Sequence, residues 1–283
     1  MYKTKRRKMK ILAIVMMGLL VLVLAVYFSP PAYTSRLNKA IRDNDEKKVA
    51  KILKQWGDVN RRNSMRLLRV SWNTPLEEAC IEGNIDIIKM LVDEGAKVNL
   101  DDGGWSPLVL SLSNESEQQY EIVRFLISRG ATLRDESNPP IWALLAQEYA
   151  KVERRGMWVR FKKDYINEEE MYNLFMLLVE NGASVNEGRE MGLPMQEVIW
   201  WGAALQGNRK IVDYLLNKEG LDIDLKISDE KTALMVAVEY NNGELVEHLI
   251  FKDADTTIVN DEGKTALDIA KEQGNKEIIS LLQ

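Results

Sequence analysis

The chain has very few of the side chains that metal sites and hydrolytic sites need. Its 283 residues include one cysteine, Cys80, and one histidine, His248. A single cysteine excludes an intramolecular disulfide, and the shortage of both residue types excludes the usual zinc spacings. Any serine or cysteine triad would have to be built around His248, and no glycine-rich phosphate loop follows a predicted strand. We therefore predict no enzyme activity, no catalytic residues, no metal and no cofactor.

One segment, residues 74–99, recurs several times along the chain with partial sequence similarity. Copies anchored on its threonine begin at Thr74, Ser106, Pro140, Val198, Thr232 and Thr265, with spacings of 32, 34, 58, 34 and 33 residues. A period of about 33 residues is typical of architectures in which each copy buries its apolar face only against its neighbours. The one long spacing predicts an insertion within a copy.

Each copy carries the pattern of two helices followed by a turn. Small residues in the first helix, such as Ala79-Cys80, allow two helices to approach closely, and Cys80 fits a buried, small apolar position. The second helix has an apolar stripe, for example Ile87, Ile88 and Leu91. Glycine, which adopts the left-handed conformation of a helix end at little cost, ends three copies. These glycines are Gly95, Gly130 and Gly182, and Asp253 takes their position in another copy.

These positions are similar to the consensus of the ankyrin-repeat family over residues 37–283. The resemblance implies an all-α solenoid of helix-turn-helix units with hairpin loops, and a protein that binds other proteins. It places six to seven repeats, with starts near residues 37, 70, 102, 136, 194, 228 and 261. Two copies depart from the consensus, because Pro140-Ile141-Trp142 and Val198-Ile199-Trp200 put tryptophan where leucine is usual. We expect Trp200 to lie in the core.

The N-terminus predicts a membrane anchor. Six basic residues precede an uncharged run, 11–28, which as a helix would span about 27 Å, close to the thickness of a bilayer core. Ser29-Pro30-Pro31 would end that helix, so we divide this part into a basic cytoplasmic segment 1–10, a signal anchor 11–28 and a linker 29–36. A cleaved signal peptide is the alternative, although Tyr27-Phe28 are not the small residues that cleavage favours. The basic residues are Lys3, Lys5, Arg6, Arg7, Lys8 and Lys10.

Charge asymmetry predicts the orientation of this anchor. The positive-inside rule keeps the basic N-terminus in the cytoplasm, so the repeats would lie in the periplasm or outside the cell. Without these six, the chain has 32 of its 38 basic residues against 43 acidic residues, a balance of about -11 for the exported part. An acidic body disfavours nucleic acid and anionic lipid as main partners.

The insertion is the first candidate surface for a protein partner. About 21 residues, 147–167, separate the two predicted helices of one copy, and they include six basic residues among aromatic ones. Aromatic and arginine side chains are frequent anchors of protein interfaces. The alternative is that the two helices are simply longer and Trp158 packs between them. The predicted contact residues are Arg154, Arg155, Trp158, Arg160, Phe161 and Lys163.

The hairpin tips are the second candidate surface. Asp101 and Asp102 stand near Trp105, and similar acidic tips recur at 135–136, 228–230 and 260–262. A row of acidic tips would favour a basic partner and speed its encounter. The alternative is that these charges serve solubility alone. In the Trp200-Trp201 pair, we expect Trp201 to be the contact residue.

Together these features predict a single-pass protein of the cytoplasmic (inner) membrane that displays an ankyrin solenoid as a protein-binding module. Contact with the lipid bilayer would be limited to residues 11–28. One specific role is an immunity protein that inhibits a periplasmic toxin or hydrolase. A structural scaffold for envelope enzymes and an adaptor facing the cytoplasm are the two alternatives.

Overall fold

The computed structural model describes residues 30–55, 57–62, 73–99, 105–113, 116–133, 140–145, 167–185, 189–190, 193–226 and 228–283. Contacts within the chain divide it into two compact units, residues 1–107 and residues 108–283. In the described ranges, none of the helices is both long enough and apolar enough to cross a bilayer. The predicted span 11–28 lies outside these ranges and stays a prediction.

Unit 1 consists of two helical pairs stacked side by side. The first pair is α1 (Pro30–Arg42) and α2 (Glu46–Leu53), and the second is α3 (Pro75–Glu82) and α4 (Ile85–Asp93). Helix α1 packs on α3 and α2 packs on α4, so the unit has an inner and an outer layer. Cys80 on α3 is fully buried, as its sequence context predicts.

Unit 2 repeats the same arrangement. Its inner helices pack on one another in the order α7, α9, α11, α13, and its outer helices pack as α6 on α8, α8 on α10 and α12 on α14. The predicted all-helical repeat is therefore confirmed, although two short strands also form an antiparallel pair in which Arg189 lies opposite Pro194. The elements are α5 (Pro107–Ser111), which begins at the unit boundary, α6 (Gln119–Ser128), α7 (Pro140–Leu145), α8 (Glu168–Glu180), β1 (Arg189–Glu190), β2 (Leu193–Pro194), α9 (Met195–Gln206), α10 (Arg209–Lys218), the 3-10 helix Ser228–Glu230, α11 (Ala233–Glu239), α12 (Gly243–Phe251), α13 (Ala266–Gln273) and α14 (Lys276–Leu281).

Helix α1 begins inside the segment 29–36 that the sequence suggested as a linker. Its first residue is Pro30, and Tyr33 and Thr34 are already buried in unit 1. Proline is tolerated in the first turn of a helix because its missing N–H would have no intrahelical partner there. The prolines therefore start a helix of the first repeat, and the linker assignment was wrong.

The threonine that anchors the repeat in the sequence is the residue before the inner helix. Thr74 Oγ1 accepts from the backbone N–H of Glu77 at 3.2 Å, and the Glu77 carboxylate accepts from the backbone N–H of Thr74 at 3.0 Å. Thr265 and Asp268 form the same reciprocal pair in the last copy. Each capping pair satisfies two backbone donors at the start of the helix, which explains why the repeat keeps this position.

The turn between inner and outer helix is held by an asparagine in several copies. Asn84, Asn208, Asn242 and Asn275 each precede an outer helix, and each side-chain oxygen accepts a backbone N–H of its first turn. The residue before each asparagine has a positive φ, which suits a tight reversal of the chain. The side-chain amides point to the preceding copy, as in the 2.7 Å bond from Asn84 Nδ2 to Asn44 Oδ1.

We expect Asp253→Gly to raise the free energy of unfolding of unit 2 by about 1 kcal/mol, because left-handed backbone costs a side-chain-bearing residue about that much. Asp253 has φ 64°, and Gly130 has φ 83° at the matching position of another copy. Gly130→Asp is the reverse control, since a Cβ there would meet no atom within 4 Å. Urea unfolding followed by circular dichroism measures both variants. Equal midpoints for Asp253→Gly and the parent chain would contradict the expectation.

Candidate protein-binding surfaces

The insertion leaves the repeat between an inner and an outer helix. Helix α7 ends at Leu145, helix α8 begins at Glu168, and these two helices pack on each other as in the regular copies. Asn167 is the residue before α8, where its side chain and that of Glu170 form a reciprocal capping pair. The predicted contact residues lie outside the described ranges, so their role stays a prediction. These residues are Arg154, Arg155, Trp158, Arg160, Phe161 and Lys163.

Part of the extra chain in this copy lengthens the outer helix. Helix α8 has 13 residues, whereas α4, α10 and α12 have nine or ten. It begins 14 residues before Gly182, whereas α4 begins ten residues before the equivalent Gly95. Four additional residues correspond to about one helical turn. The expectation of a longer helix therefore holds for α8, and the remaining extra chain lies before it.

Both ends of the insertion contact the next copy. Gln206 Nε2 donates to the Leu145 carbonyl at 3.1 Å, and Asn208 Nδ2 donates to the Glu168 carbonyl at 2.8 Å. The backbone N–H of Arg209 donates to Glu168 Oε1 at 2.9 Å. Segment 206–210 therefore binds the last described residue before the insertion and the first residue of the helix that follows it.

The hydrogen bond from Gln206 to the Leu145 carbonyl also corrects the repeat register of the copy that contains α7. In the last two copies, Gln273 Nε2 donates to the Glu239 carbonyl at 3.0 Å, and Gln206 makes the matching bond to Leu145. Leu145 therefore corresponds to Glu239, which moves the start of this copy two residues back from Pro140. Trp142 then corresponds to Val236. The prediction that Trp142 stands at the consensus leucine position was therefore wrong. This copy lacks the threonine on which the sequence alignment depends.

Trp200 occupies the leucine position of its copy, as predicted. Its side chain is 0% exposed on α9, which packs against α7 and α11. Its Nε1 atom is buried and has no acceptor among the residues that the structure describes. Trp201 follows in the same helix, but its side chain is not among those that the structure describes, so its contact role stays a prediction.

The two acidic tips that fall within the described part lie next to each other. Asp229 and Glu230 form a tight turn with positive φ angles, and their side chains are 60% and 62% exposed. The backbone N–H of Asp261, in the next hairpin, donates to the Asp229 carbonyl at 3.3 Å. Glu262 is also exposed. These carboxylates therefore form one continuous acidic edge of unit 2.

Lysines behind this edge are paired with carboxylates on both sides. Lys231 lies 3.5 Å from Asp229 and 2.9 Å from Glu239, and Lys264 lies 2.8 Å from Glu262 and 2.9 Å from a carboxylate on α13. The hydrogen bond from Lys264 holds the pKa of Glu262 below its usual range. The acids outnumber the lysines and are more exposed, so the edge presents negative charge at neutral pH.

Trp105 is the one residue of the tips predicted nearer the N-terminus that falls within the described ranges. Asp101, Asp102 and the pair 135–136 lie outside the described ranges. Trp105 directly precedes Ser106 and is half-buried. It therefore takes the same position before an inner helix that Lys231 and Lys264 take in the later copies.

Sequence reasoning missed a buried charge network in unit 1. Glu77 and Glu78 are almost fully buried on α3, at positions that Met235 and Val236 take in a later copy. Arg62 Nη2 lies 2.7 Å from Glu77 Oε1, and the Arg42 guanidinium lies 2.8 Å from Glu78. Two adjacent carboxylates at positions that are apolar in other copies were the signal that could have revealed this network.

The sole histidine belongs to an ion-pair cluster on the outer helices. His248 Nε2 lies 3.0 Å from Asp213 Oδ1, and Lys252 Nζ lies 2.8 Å from the same oxygen. Burial acts to raise the pKa of Asp213, but the hydrogen bonds from Lys252 and His248 lower it overall. Within the described ranges, no group of three or more His, Cys, Asp and Glu side chains could hold a metal ion. Burial also raises the pKa of the Cys80 thiol, which disfavours the reactive thiolate.

Comparison with known proteins identifies the repeat. A family model described as ankyrin repeats (3 copies) matches residues 37–137 and 200–283. Protein phosphatase 1 regulatory subunit 27 of Homo sapiens is 33% identical over 99 residues, which cover 35% of this chain and 58% of that protein. The ankyrin repeat and KH domain-containing protein mask-1 of Caenorhabditis elegans is 25% identical over 227 residues, which cover 74% of this chain and 8% of that protein.

A solved structure agrees with these matches at the level of the fold. The human ASB11 ankyrin repeat domain superposes with a TM-score of 0.61 and 22% identity, covering 88% of this chain and 96% of that domain. The chain spans less than two thirds of the curated relatives named above, so what is shared with them is the repeat. With the family model matching more than half of its residues, the chain belongs to the ankyrin-repeat family, whose repeats are protein-interaction modules.

Proposed function

We propose that this chain is a membrane-tethered protein-binding module that displays its ankyrin repeats outside the cytoplasmic membrane. The observation that carries the tether is the uncharged run 11–28 directly after six basic residues. Helix α1 of the first repeat begins at Pro30, two residues after that run. A single span followed at once by the repeats would hold unit 1 close to the membrane surface.

Charge supports export of the repeats. The basic residues before the run favour a cytoplasmic N-terminus, and the acidic remainder, at about -11, faces the opposite side in this orientation. Alkaline phosphatase fused after Gln283 tests the topology, because that enzyme becomes active only outside the cytoplasm. We expect phosphatase activity and no fluorescence from a matched green fluorescent protein fusion. The reverse pattern would support the cytoplasmic adaptor and contradict export.

The partner is proposed to be a protein that contacts unit 2. The insertion offers basic and aromatic side chains, and the hairpin edge formed by Asp229, Glu230, Asp261 and Glu262 offers carboxylates. A toxin or hydrolase delivered to the periplasm would be inhibited by such a module, which is the role of an immunity protein. One relative is named as a regulatory subunit of an enzyme, and this name supports a role in which binding controls a catalytic partner.

Copurification distinguishes this role from that of a scaffold. The tagged full chain, extracted in detergent, is expected to retain a secreted hydrolase, and the purified chain is expected to inhibit that enzyme. A scaffold would instead retain envelope enzymes whose activity is unchanged by the chain. Survival of a deletion strain at parental levels during toxin challenge would contradict the immunity role.

We expect Trp158→Ala with Arg160→Ala to weaken binding of the copurified partner by about 10- to 100-fold, because interface tryptophan and arginine often contribute more than 1 kcal/mol each. Titration calorimetry with the purified partner measures the effect. Tyr120→Ala with Arg124→Ala is the matched control, since both side chains are exposed on α6. Unchanged affinity in the insertion variant would remove the insertion from the binding surface.

A further inference from the structure

Two side-chain amides join the turn of the last copy to the turn of the copy that precedes it. Gln273 donates to the Glu239 carbonyl at 3.0 Å, and Asn275 donates to the side chain of Asn241. The two acceptor residues are only two positions apart in the sequence. The donors Gln273 and Asn275 are also two positions apart, so the pair spans one tight turn.

At the insertion, the matching donors bind residues that are far apart in the sequence. Gln206 corresponds to Gln273 and holds Leu145, whereas Asn208 corresponds to Asn275 and holds Glu168. The acceptors are 23 positions apart, yet they receive bonds from donors that are two positions apart. The chain therefore leaves the repeat and returns to it at the place where a regular copy makes a tight turn.

Other contacts tie the returning end to the same segment. Glu168 accepts from the backbone N–H of Arg209 at 2.9 Å, and its other carboxylate oxygen lies 3.5 Å from the Arg209 guanidinium. Lys210 pairs with Glu169. The ion pairs are largely exposed and contribute little, whereas Asn208 is almost fully buried. The amide bonds from Gln206 and Asn208, together with the backbone bond from Arg209 to Glu168, are therefore the main restraints.

We propose that Gln206 and Asn208 are positioning residues that hold the two ends of the insertion together at the turn edge of unit 2. The biological meaning of this proposal rests on the proposed binding role of the insertion. The acidic residues Asp229 and Glu230 precede helix α11, whereas the turn edge lies at the other end of the inner helices. A seven-residue helix such as α11 is about 10 Å long, so the turn edge that holds Leu145 and Glu168 is separated from the acidic edge by about that distance.

Two amide-to-carboxylate substitutions test the restraint without removing the helix cap. Asn208→Asp keeps an oxygen that can cap α10 but loses the donor to Glu168, and Gln206→Glu loses the donor to Leu145. Gln273→Glu with Asn275→Asp makes the same change in the last copy, where no insertion follows the acceptors. The full-length double variants are compared in detergent by limited trypsin digestion, with fragments cut at Arg154, Arg155, Arg160 and Lys163 quantified by mass spectrometry.

The expected result is a cleavage rate within the insertion at least fivefold higher in Gln206→Glu/Asn208→Asp than in the parent chain, and unchanged in the control pair. Equal rates in all three proteins, or equal acceleration in both double variants, would overturn the proposal. Urea midpoints measured in parallel separate a local effect from a global loss of stability. The digestion contains no partner protein, so equal cleavage rates would reject the restraint and leave the proposed binding role untouched. Conversely, unchanged partner affinity in Trp158→Ala/Arg160→Ala would reject the binding role while leaving the restraint intact.

Discussion

Trp200→Ala is expected to lower the free energy of unfolding of unit 2 by about 3–5 kcal/mol, the usual cost of removing a large buried aromatic side chain. Trp200 is fully buried on α9, between the neighbouring inner helices α7 and α11. The helices around it are in close contact, since a Cβ added at Gly202 would lie 2.8 Å from Leu145 Cβ. Substantial collapse around a cavity is therefore difficult, and most of the lost volume would remain empty.

Trp200→Phe separates packing from hydrogen bonding at this position. Phenylalanine keeps much of the buried area and removes an N–H group that has no acceptor in the described part of the chain. Because an unsatisfied buried donor costs about 1–3 kcal/mol, its removal offsets part of the lost packing. We expect Trp200→Phe to lose less than half as much stability as Trp200→Ala in urea unfolding followed by circular dichroism. Equal losses would contradict this expectation, because they would show that a phenyl ring recovers none of the packing lost with the indole.

The repeat was predictable because its signals are local. The N-terminal threonines and the glycines at helix ends each satisfy or relax backbone groups within a few residues, so Thr74, Thr265 and Gly95 stand out in the sequence. The copy at α7 lacks that threonine, and its register became visible only through a hydrogen bond between residues 61 positions apart. Proline at the start of α1 was misjudged because Pro30 can end one helix and begin another.

The candidate sites were predictable only in part, for a similar reason. The insertion is visible in the sequence because it lengthens one spacing between repeats, and the acidic tips are visible because carboxylates recur at the hairpin positions. Segment 206–210 keeps the regular pattern, and nothing in its own sequence shows that its partners, Leu145 and Glu168, flank the insertion. The buried carboxylates Glu77 and Glu78 were missed because periodicity assigns charged residues to the surface unless a partner is known.

Arg42→Met is expected to lower the free energy of unfolding of unit 1 by about 3 kcal/mol at neutral pH, because it removes the described cationic partner of a buried carboxylate. The Glu78 side chain is 6% exposed, whereas that of Arg42 is 37% exposed. Losing the arginine therefore costs more than losing the glutamate, since an unpaired Arg42 could still reach water. Glu78→Gln, which keeps an oxygen for the 3.2 Å bond from Asn73 Nδ2, is the milder variant for comparison.

The pH dependence of this loss identifies its cause. Burial and the neighbouring Glu78 raise the pKa of Glu82, and Arg42 opposes that shift, so removing Arg42 should raise the pKa of Glu82 further. A carboxyl whose pKa is higher in the folded than in the unfolded chain destabilises the fold above that pKa, and the penalty disappears as the pH falls through it. The deficit of Arg42→Met should therefore be smaller near pH 5 than near pH 7.5. Arg42→Met/Glu78→Gln should recover more than half of it at the higher pH. A deficit that is independent of pH and persists in the double variant would instead assign the loss to the packing of the arginine stem.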